Sequence, residues 1–208
     1  MTVLDSLCAE NLACVRGGRQ VFRDIGFRVE RGAALSLEGP NGSGKTSLLR
    51  LVAGLLPAAV GHVTVRTDGA QIRDAEERGK LIAWLGHQDG IRPQLSPRET
   101  LTFFARFYGL TSGISGVVET AAGIAGLARF ADLPCQYLSA GQRKRLSLAR
   151  LRLSARPLWL LDEPFASLDL SGRSLARELI AWHCSSGGIA IVATHEPLGI
   201  EAARLVLA

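Results

Sequence analysis

The sequence predicts an α/β fold: a mostly parallel core sheet, an N-terminal β part, and a helical lobe inserted into the sheet. Three observations predict it. The apolar run "AALSLEG" passes straight into a glycine-rich loop and then a helix-period segment. Two more buried-strand runs, "PLWLLD" and "IAIVAT", flank a stretch that opens as a helix near Ser171. Between about residues 90 and 155 the texture turns helical, so the strand–helix alternation is interrupted by a lobe. At 208 residues the chain reads as one domain, 1–208, long enough to bury a core without covalent staples.

Taken in order, the chain up to about Glu38 reads as strands. "RQVFRDIGFRVERG" alternates, with Val21, Ile25, Phe27 and Val29 apolar and Gly32 as the break. "GKTSLLRLVAGLL" sets Leu48, Leu49, Val52 and Leu56 at helical spacing, with Pro57 as the expected stop. "HVTVRTDG" and "KLIAWLG" are further strands. Gly109, Gly113 and Gly126 break the lobe, and "ARLVLA" closes the sheet.

Composition narrows the class. The chain is 47% hydrophobic and 21% charged, ordinary for a globular protein. No stretch approaches the ~18 uninterrupted apolar residues of a membrane span. The opening "MTVLDSLCAENLACVRGG" carries acids early and lacks the basic-then-apolar pattern of a secretion signal. A cytosolic place is expected unless a partner holds the chain to a membrane. Cys8, Cys14, Cys135 and Cys184 show neither CxxC nor zinc-ligand spacing and read as small buried thiols. The formal charge of +5 is spread along the chain, with only Arg143–Arg145 as a short basic run. A basic stripe interleaved with aromatics is absent, so no nucleic-acid partner is expected.

"GPNGSGKT", Gly39 to Thr46, satisfies the pattern GxxxxGK[ST]. In such a loop Gly39, Pro40, Asn41, Gly42, Ser43 and Gly44 wrap a phosphate chain with inward N–H groups. Lys45, Thr46 and Ser47 open the helix whose N-terminus adds positive potential. Lys45 would reach the β- and γ-phosphates of ATP, and Thr46 would ligate Mg²⁺. "LWLLDEP" puts Asp162 at the C-terminal end of a buried strand, where open α/β sheets bind ligands, as the outer partner of Mg²⁺. Glu163 beside it could polarise an attacking water. A small-molecule kinase could own all of these features.

Further motifs remove most of that option. "LSAGQ" at Leu138–Gln142, "LLDEP", "SLD" at Ser167–Asp169, "HQ" at His87–Gln88 and "ATHE" around His195 stand in the order seen in ATP-binding-cassette (ABC) ATPases, and the resemblance covers essentially the whole chain. It implies a P-loop NTPase cassette with an N-terminal antiparallel β part. It implies two cassettes packed head to tail, each nucleotide lying between the P-loop of one copy and the LSAGQ turn of the other. Ser139 can then donate to the γ-phosphate, with the Gly141 N–H, Gln142 and the following helix start adding positive potential. By the same resemblance Gln88 senses Mg²⁺ and the membrane partner. His195 steadies the γ-phosphate and Glu163, and Asp169 contacts the opposite subunit.

Two departures stand out. Ala140 replaces the first glycine of the more usual LSGGQ, which is tolerable where φ is negative. Arg16 falls where the family usually stacks an aromatic ring on adenine. A guanidinium can lie over the base in its place; the alternative is loose base selectivity.

A lone cassette is expected to serve a separate integral membrane permease subunit. In the lobe, "ETLTFFARFYGL" is apolar on two faces, Leu101/Phe104/Ala105/Tyr108 and Phe103/Phe107/Leu110. Either both pack in the lobe, or one forms a groove for the membrane partner. "WLGHQDGIRPQLSPRETL", "LSAGQRKRLSLARL" and "PLWLLDEPFASLD" resemble the ATP-binding subunits of cytochrome c maturation haem exporters. That resemblance implies haem-handling membrane proteins as partners at the cytoplasmic face of the inner membrane. It leaves open whether haem is exported or a haem-loaded chaperone is released. No haem-ligand pattern occurs in the chain itself. The competing readings are a cassette for another exporter and, from a different class, a cytosolic ATP-driven nucleic-acid or ribosome clamp.

Overall fold

Two sheets carry the β structure of this computed structural model, which describes residues 3–88 and 90–208. Strands β1 (Leu4–Arg16), β2 (Arg19–Glu30), β4 (Val60–Thr67) and β5 (Ala70–Ile72) form an antiparallel sheet in the order β2-β1-β4-β5. Strands β3 (Ala34–Glu38), β6 (Ile82–Leu85), β7 (Leu158–Asp162), β8 (Ile189–Ala193) and β9 (Ala203–Val206) form the second, in the order β6-β7-β8-β3-β9. Its β7–β8, β8–β3 and β3–β9 pairs are parallel. Every residue of β7 and β8 is buried, as continuous apolar runs require of strands covered on both faces. The register sets Asp162 opposite Ala193, so the acid closes its strand at the C-terminal edge.

The helices are α1 (Lys45–Val52), α2 (Ala75–Gly79), α3 (Pro97–Phe107), α4 (Ile114–Ile124), α5 (Ala140–Leu153) and α6 (Leu170–Ser185). Helix α1 stops earlier than its composition suggests. Pro57 is not the terminator. Gly54 takes φ +76°, its N–H donates to Leu51 O, and the Leu55 N–H reaches back to Arg50 O, a complete Schellman motif. Strand β5 and helix α2, of three and five residues, are too short to show a period in the sequence.

The chain divides into two compact units. The first comprises the chain up to Trp84, Arg156–Glu163 and Ile180–Ala208. Its core joins both sheets to α1 through Leu7, Leu12, Leu37, Leu48, Leu49, Leu160 and Ile191. The second comprises Leu85–Ala155 and Pro164–Leu179, with a core of Leu101, Ala105, Val118, Leu127, Leu146 and Leu153 from α3, α4, α5 and the loop after α4. Of the two faces of α3, Phe104, Tyr108 and Leu110 pack against this core, whereas Phe103 and Phe107 are 57% and 66% exposed. The reading in which both faces pack inside the lobe is therefore not the one observed. Among the described residues, no helix is long and apolar enough to cross a membrane.

In the first unit the His183 ring stacks on Trp159, centroids 4.0 Å apart at 10°, with Nε2 3.1 Å from Ile189 O. Burial pushes its pKa down from 6.5 to about 4. The fold therefore holds a neutral ring that the unfolded chain protonates first. This contribution is complete above pH 6.5 and is lost as pH falls toward about 4. We expect His183→Gln to lose up to about 3 kcal/mol less than the parent across that window. Urea midpoints of the two proteins at neutral and acid pH give the comparison. Parallel curves would refute it.

Candidate functional site

Helix α1 begins at Gly44, whose φ of +100° lets β3 turn sharply into the helix; a Cβ there would run into Val21 and Phe22. No side chain caps α1, and its first turn holds no acid. By contrast α2 is capped by Asp74, while α3 and α5 carry full capping boxes, Ser96/Glu99 and Ser139/Gln142. The leading N–H groups of α1 thus lack a side-chain cap, and the positive end of the helix is not offset by its own acids.

Around this helix start the chain gathers polar groups. Lys45 is buried, with Nζ donating to Gly39 O at 2.6 Å and Pro40 O at 3.1 Å. His195 Nε2 lies 3.3 Å from the same ammonium and 3.9 Å from Glu163 Oε1. Thr46 Oγ1 donates to the buried carboxylate of Asp162, Oδ2, at 2.9 Å. Ser43 Oγ is buried with no hydrogen-bond partner among the described residues. Glu163 sits at φ +47°, a left-handed conformation uncommon for a non-glycine residue, while its N–H extends the ladder to Ala193 O at 2.9 Å. All of these residues belong to the first unit.

These residues fit a nucleotide's phosphates. An unpaired hydroxyl, a folded-back ammonium and an uncapped helix start all seek an anion. A divalent cation fits as well. Thr46 and Asp162 offer hard oxygen ligands, and no group of three or more His, Cys, Asp or Glu residues among those described makes a protein-only cage. Mg²⁺ typically binds in that way, through one or two side chains and the phosphates it accompanies.

The second unit holds Gln88, Ser139, Gly141, Gln142 and Asp169. Ser139 Oγ accepts the Gln142 N–H at 3.1 Å, and Gln142 Oε1 accepts the Ser139 N–H at 2.8 Å. The hydroxyl therefore spends a lone pair on the cap, and its proton stays available to a ligand. A Cβ on Gly141 would lie 2.9 Å from Ser167 O, which excludes alanine there. Ala140 is not among the positive-φ residues, so its methyl is accommodated. Asp169 accepts from Arg145 at 2.6 Å and from the Gly172 N–H at 2.9 Å, and these bonds hold its carboxyl below the usual range, the Gly172 bond most of all. Gln88 is exposed on the bend after β6, beside a cavity it shares with His87, Arg143 and Gln136. Asp89, which follows it in the Gly-His-Gln-x-Gly-Ile run, lies outside the described residues. Arg16 ends β1, exposed, and pairs across the Gly17–Gly18 turn with Arg19. Phe22 packs against Gly44.

A phosphate loop, a strand-end Asp-Glu pair with a histidine beside it, and a second helix start with a serine cap are the features of an ABC-type ATPase. The chain belongs to the ABC transporter family, whose model matches residues 22–166. Among its relatives is the cytochrome c biogenesis ATP-binding export protein CcmA of Rhodopseudomonas palustris (strain BisB5), 47% identical over 199 residues that cover 96% of each chain. CcmA of Mesorhizobium japonicum is likewise 47% identical at 96% coverage of both, and CcmA of Rhizobium meliloti (strain 1021) is 45% identical at 95% of both. Two solved structures share the fold at 22% identity. One, the ATP-binding subunit of an ABC transporter, has a TM-score of 0.82 over 97% of this chain and 85% of its own. The other, an ABC transporter ATP-binding protein from Pyrococcus furiosus, has a TM-score of 0.84 over 98% of both.

The capping geometry separates two duties of Ser139. Ser139→Ala is expected to lower the unfolding free energy by about 1 kcal/mol, whereas Ser139→Asp, which keeps an acceptor for the Gln142 N–H, stays near the parent. Chemical denaturation without nucleotide measures both. Equal loss in the two variants would show that the cap contributes nothing.

Proposed function

We propose that the chain is the ATP-hydrolysing subunit of a membrane transporter complex of cytochrome c maturation, exporting haem or releasing a haem-loaded chaperone. The observation that carries the catalytic part is the meeting of Lys45, Thr46, Asp162, Glu163 and His195 at the uncapped start of α1. The near-full-length likeness to CcmA export proteins supports the biological setting. The same likeness supports a peripheral place on the cytoplasmic face of the inner membrane, beneath an integral membrane permease and beside haem-handling membrane proteins. The exposed Phe103–Phe107 face of α3 is one surface that such a permease could cover.

In this reading ATP enters the loop Gly39–Ser47, and the Lys45 ammonium turns from the Gly39 and Pro40 carbonyls to the β- and γ-phosphates. Thr46, with Asp162 behind it, and, by the family resemblance, Gln88 would hold Mg²⁺, which would offset phosphate charge when bound. Losing Lys45 as a neighbour lets the His195 ring carry its proton on Nε2 and donate it to the γ-phosphate. Glu163 orients the attacking water and takes its proton. A second copy docks head to tail, presenting Ser139, Gly141 and Gln142 to the same γ-phosphate, with Asp169 at the contact between subunits. Because those contacts exist with ATP and not ADP, hydrolysis loosens the pair. Arg16 lies over or beside the base.

Lys45→Ala should weaken ATP binding and abolish phosphate release; turnover near the parent rate would sink the site assignment. Glu163→Gln should run as a dimer on gel filtration with ATP and as a monomer with ADP. Tagged Glu163→Gln drawn from detergent-solubilised native membranes with ATP should bring a small membrane subunit and haem-absorbing proteins. An unrelated permease would keep the ATPase and discard the haem. Ribosomes or polynucleotide alone would overturn the transporter reading.

A further inference from the structure

A cavity of ≈ 440 Å³ in the second unit is walled by Ser139, Gly141 and Gln142 of the serine-capped turn and, from the loop after α4, by Arg129 and Phe130. Those last two residues match none of the family motifs in the sequence. Arg129 places its guanidinium carbon 4.8 Å from the centre of the Phe130 ring. The ring is half-buried and packs on the core around Leu127 and Leu146, so the platform beneath the cation is fixed. The other guanidinium of the cavity, Arg145, is already committed to Asp169 at 2.6 Å and to Ser171. Arg129 has no carboxylate within ion-pair distance among the described residues. Stacking uses the flat face of a guanidinium and leaves its edge N–H groups for acceptors. A cation held in place, without an anion and beside an outward hydroxyl, suits a polyphosphate.

We propose that Arg129, held on Phe130, is a second cation of the site that the serine-capped turn offers to a nucleotide carried by another copy of the chain. It donates charge-assisted hydrogen bonds to that nucleotide's phosphates. This rests on the head-to-tail reading above. The contact proposed is with the nucleotide of another copy, so its effect falls on pairing and not on loading. Its exposure before pairing is consistent with a residue whose ligand arrives with the partner.

The test compares Arg129→Ala, Arg129→Glu, Arg129→Lys and Phe130→Leu in the Glu163→Gln background, by sedimentation with ATP and by fluorescent-ATP binding at concentrations where the chain is monomeric. Removing the cation should weaken pairing about tenfold at each of two equal sites, hence about a hundredfold per dimer, with monomer affinity unchanged. Arg129→Glu should be worse, Arg129→Lys milder, and Phe130→Leu should fall between Lys and Ala. Dimer affinities within about twofold of the parent for both Ala and Glu would overturn the proposal, as would a loss of monomer affinity equal to the loss of pairing. A Glu163→Gln parent that stays monomeric with ATP would instead remove the head-to-tail reading and this inference with it.

Discussion

A single hydrogen bond ties the two halves of the phosphate site together. Thr46 and Asp162 are far apart in the chain, yet the threonine hydroxyl meets the carboxylate at 2.9 Å. The bond depends on two independent placements. Asp162 is fixed because every residue of β7 is buried and paired in register with β8, so the acid must close the strand. Thr46 is fixed because β3, pairing on the other side of β8, delivers the loop and α1 to the same edge. A buried carboxylate without a partner costs several kcal/mol. The sheet tolerates Asp162 because α1 brings it a donor, and α1 is in place because Leu48, Leu49 and Val52 fill the core beneath it.

The segment after Asp162 is built under local strain. Glu163 and Ser167 both adopt positive φ, +47° and +63°, each costing on the order of 1–3 kcal/mol for a non-glycine residue. Extended backbone at Glu163 would continue β7. The left-handed turn instead ends the strand one residue after Asp162 while keeping the Glu163 N–H on Ala193 O, and it leaves the carboxylate 3.9 Å from His195. Ser167 serves the other unit: its carbonyl is the atom that a side chain on residue 141 would strike. The serine-capped turn and the loop ending at Asp169 therefore fit only with glycine between them.

Much of this was legible in the sequence, and the parts that were not share a cause. The loop, the strand-end acid and the alternation of strands and helices show because each rests on residues adjacent in the chain. The end of α1 was misplaced because Pro57 is a louder signal than Gly54, although only the glycine carries the Schellman bonds. Ser139 and Gln142 spell a capping box in plain sequence, yet their place in a ligand motif hid the structural duty. Asp74 and Glu77 likewise mark the start of α2, whose five residues are too few to show a period. The turn at Glu163 depends on Ala193 and His195, which are distant in the chain, and the rotamers that fold Lys45 onto its own loop and Arg129 onto the adjacent Phe130 are set by packing, so no pattern along the chain announces them.

The helix starts divide by what is left to cap them. Where the chain supplies a cap, as at α2, α3 and α5, the helix is complete without ligand. At α1, as at α4, it supplies none, and only at α1 does it also place a buried serine hydroxyl with no hydrogen-bond partner among the described residues beside a lysine held by two loop carbonyls and His195. An anion there satisfies several groups at once, so nucleotide binding also stabilises the fold around it. Helix α5 shows the complementary arrangement. Its cap is satisfied internally, so the turn keeps its shape with no ligand present, and the Ser139 hydroxyl is exposed with its proton unused by the cap. In the proposed pairing such a turn needs little rearrangement when a phosphate arrives, and the energy of the contact goes into pairing. In the proposed cycle that is the property required of the half-site that must form with ATP and release after hydrolysis.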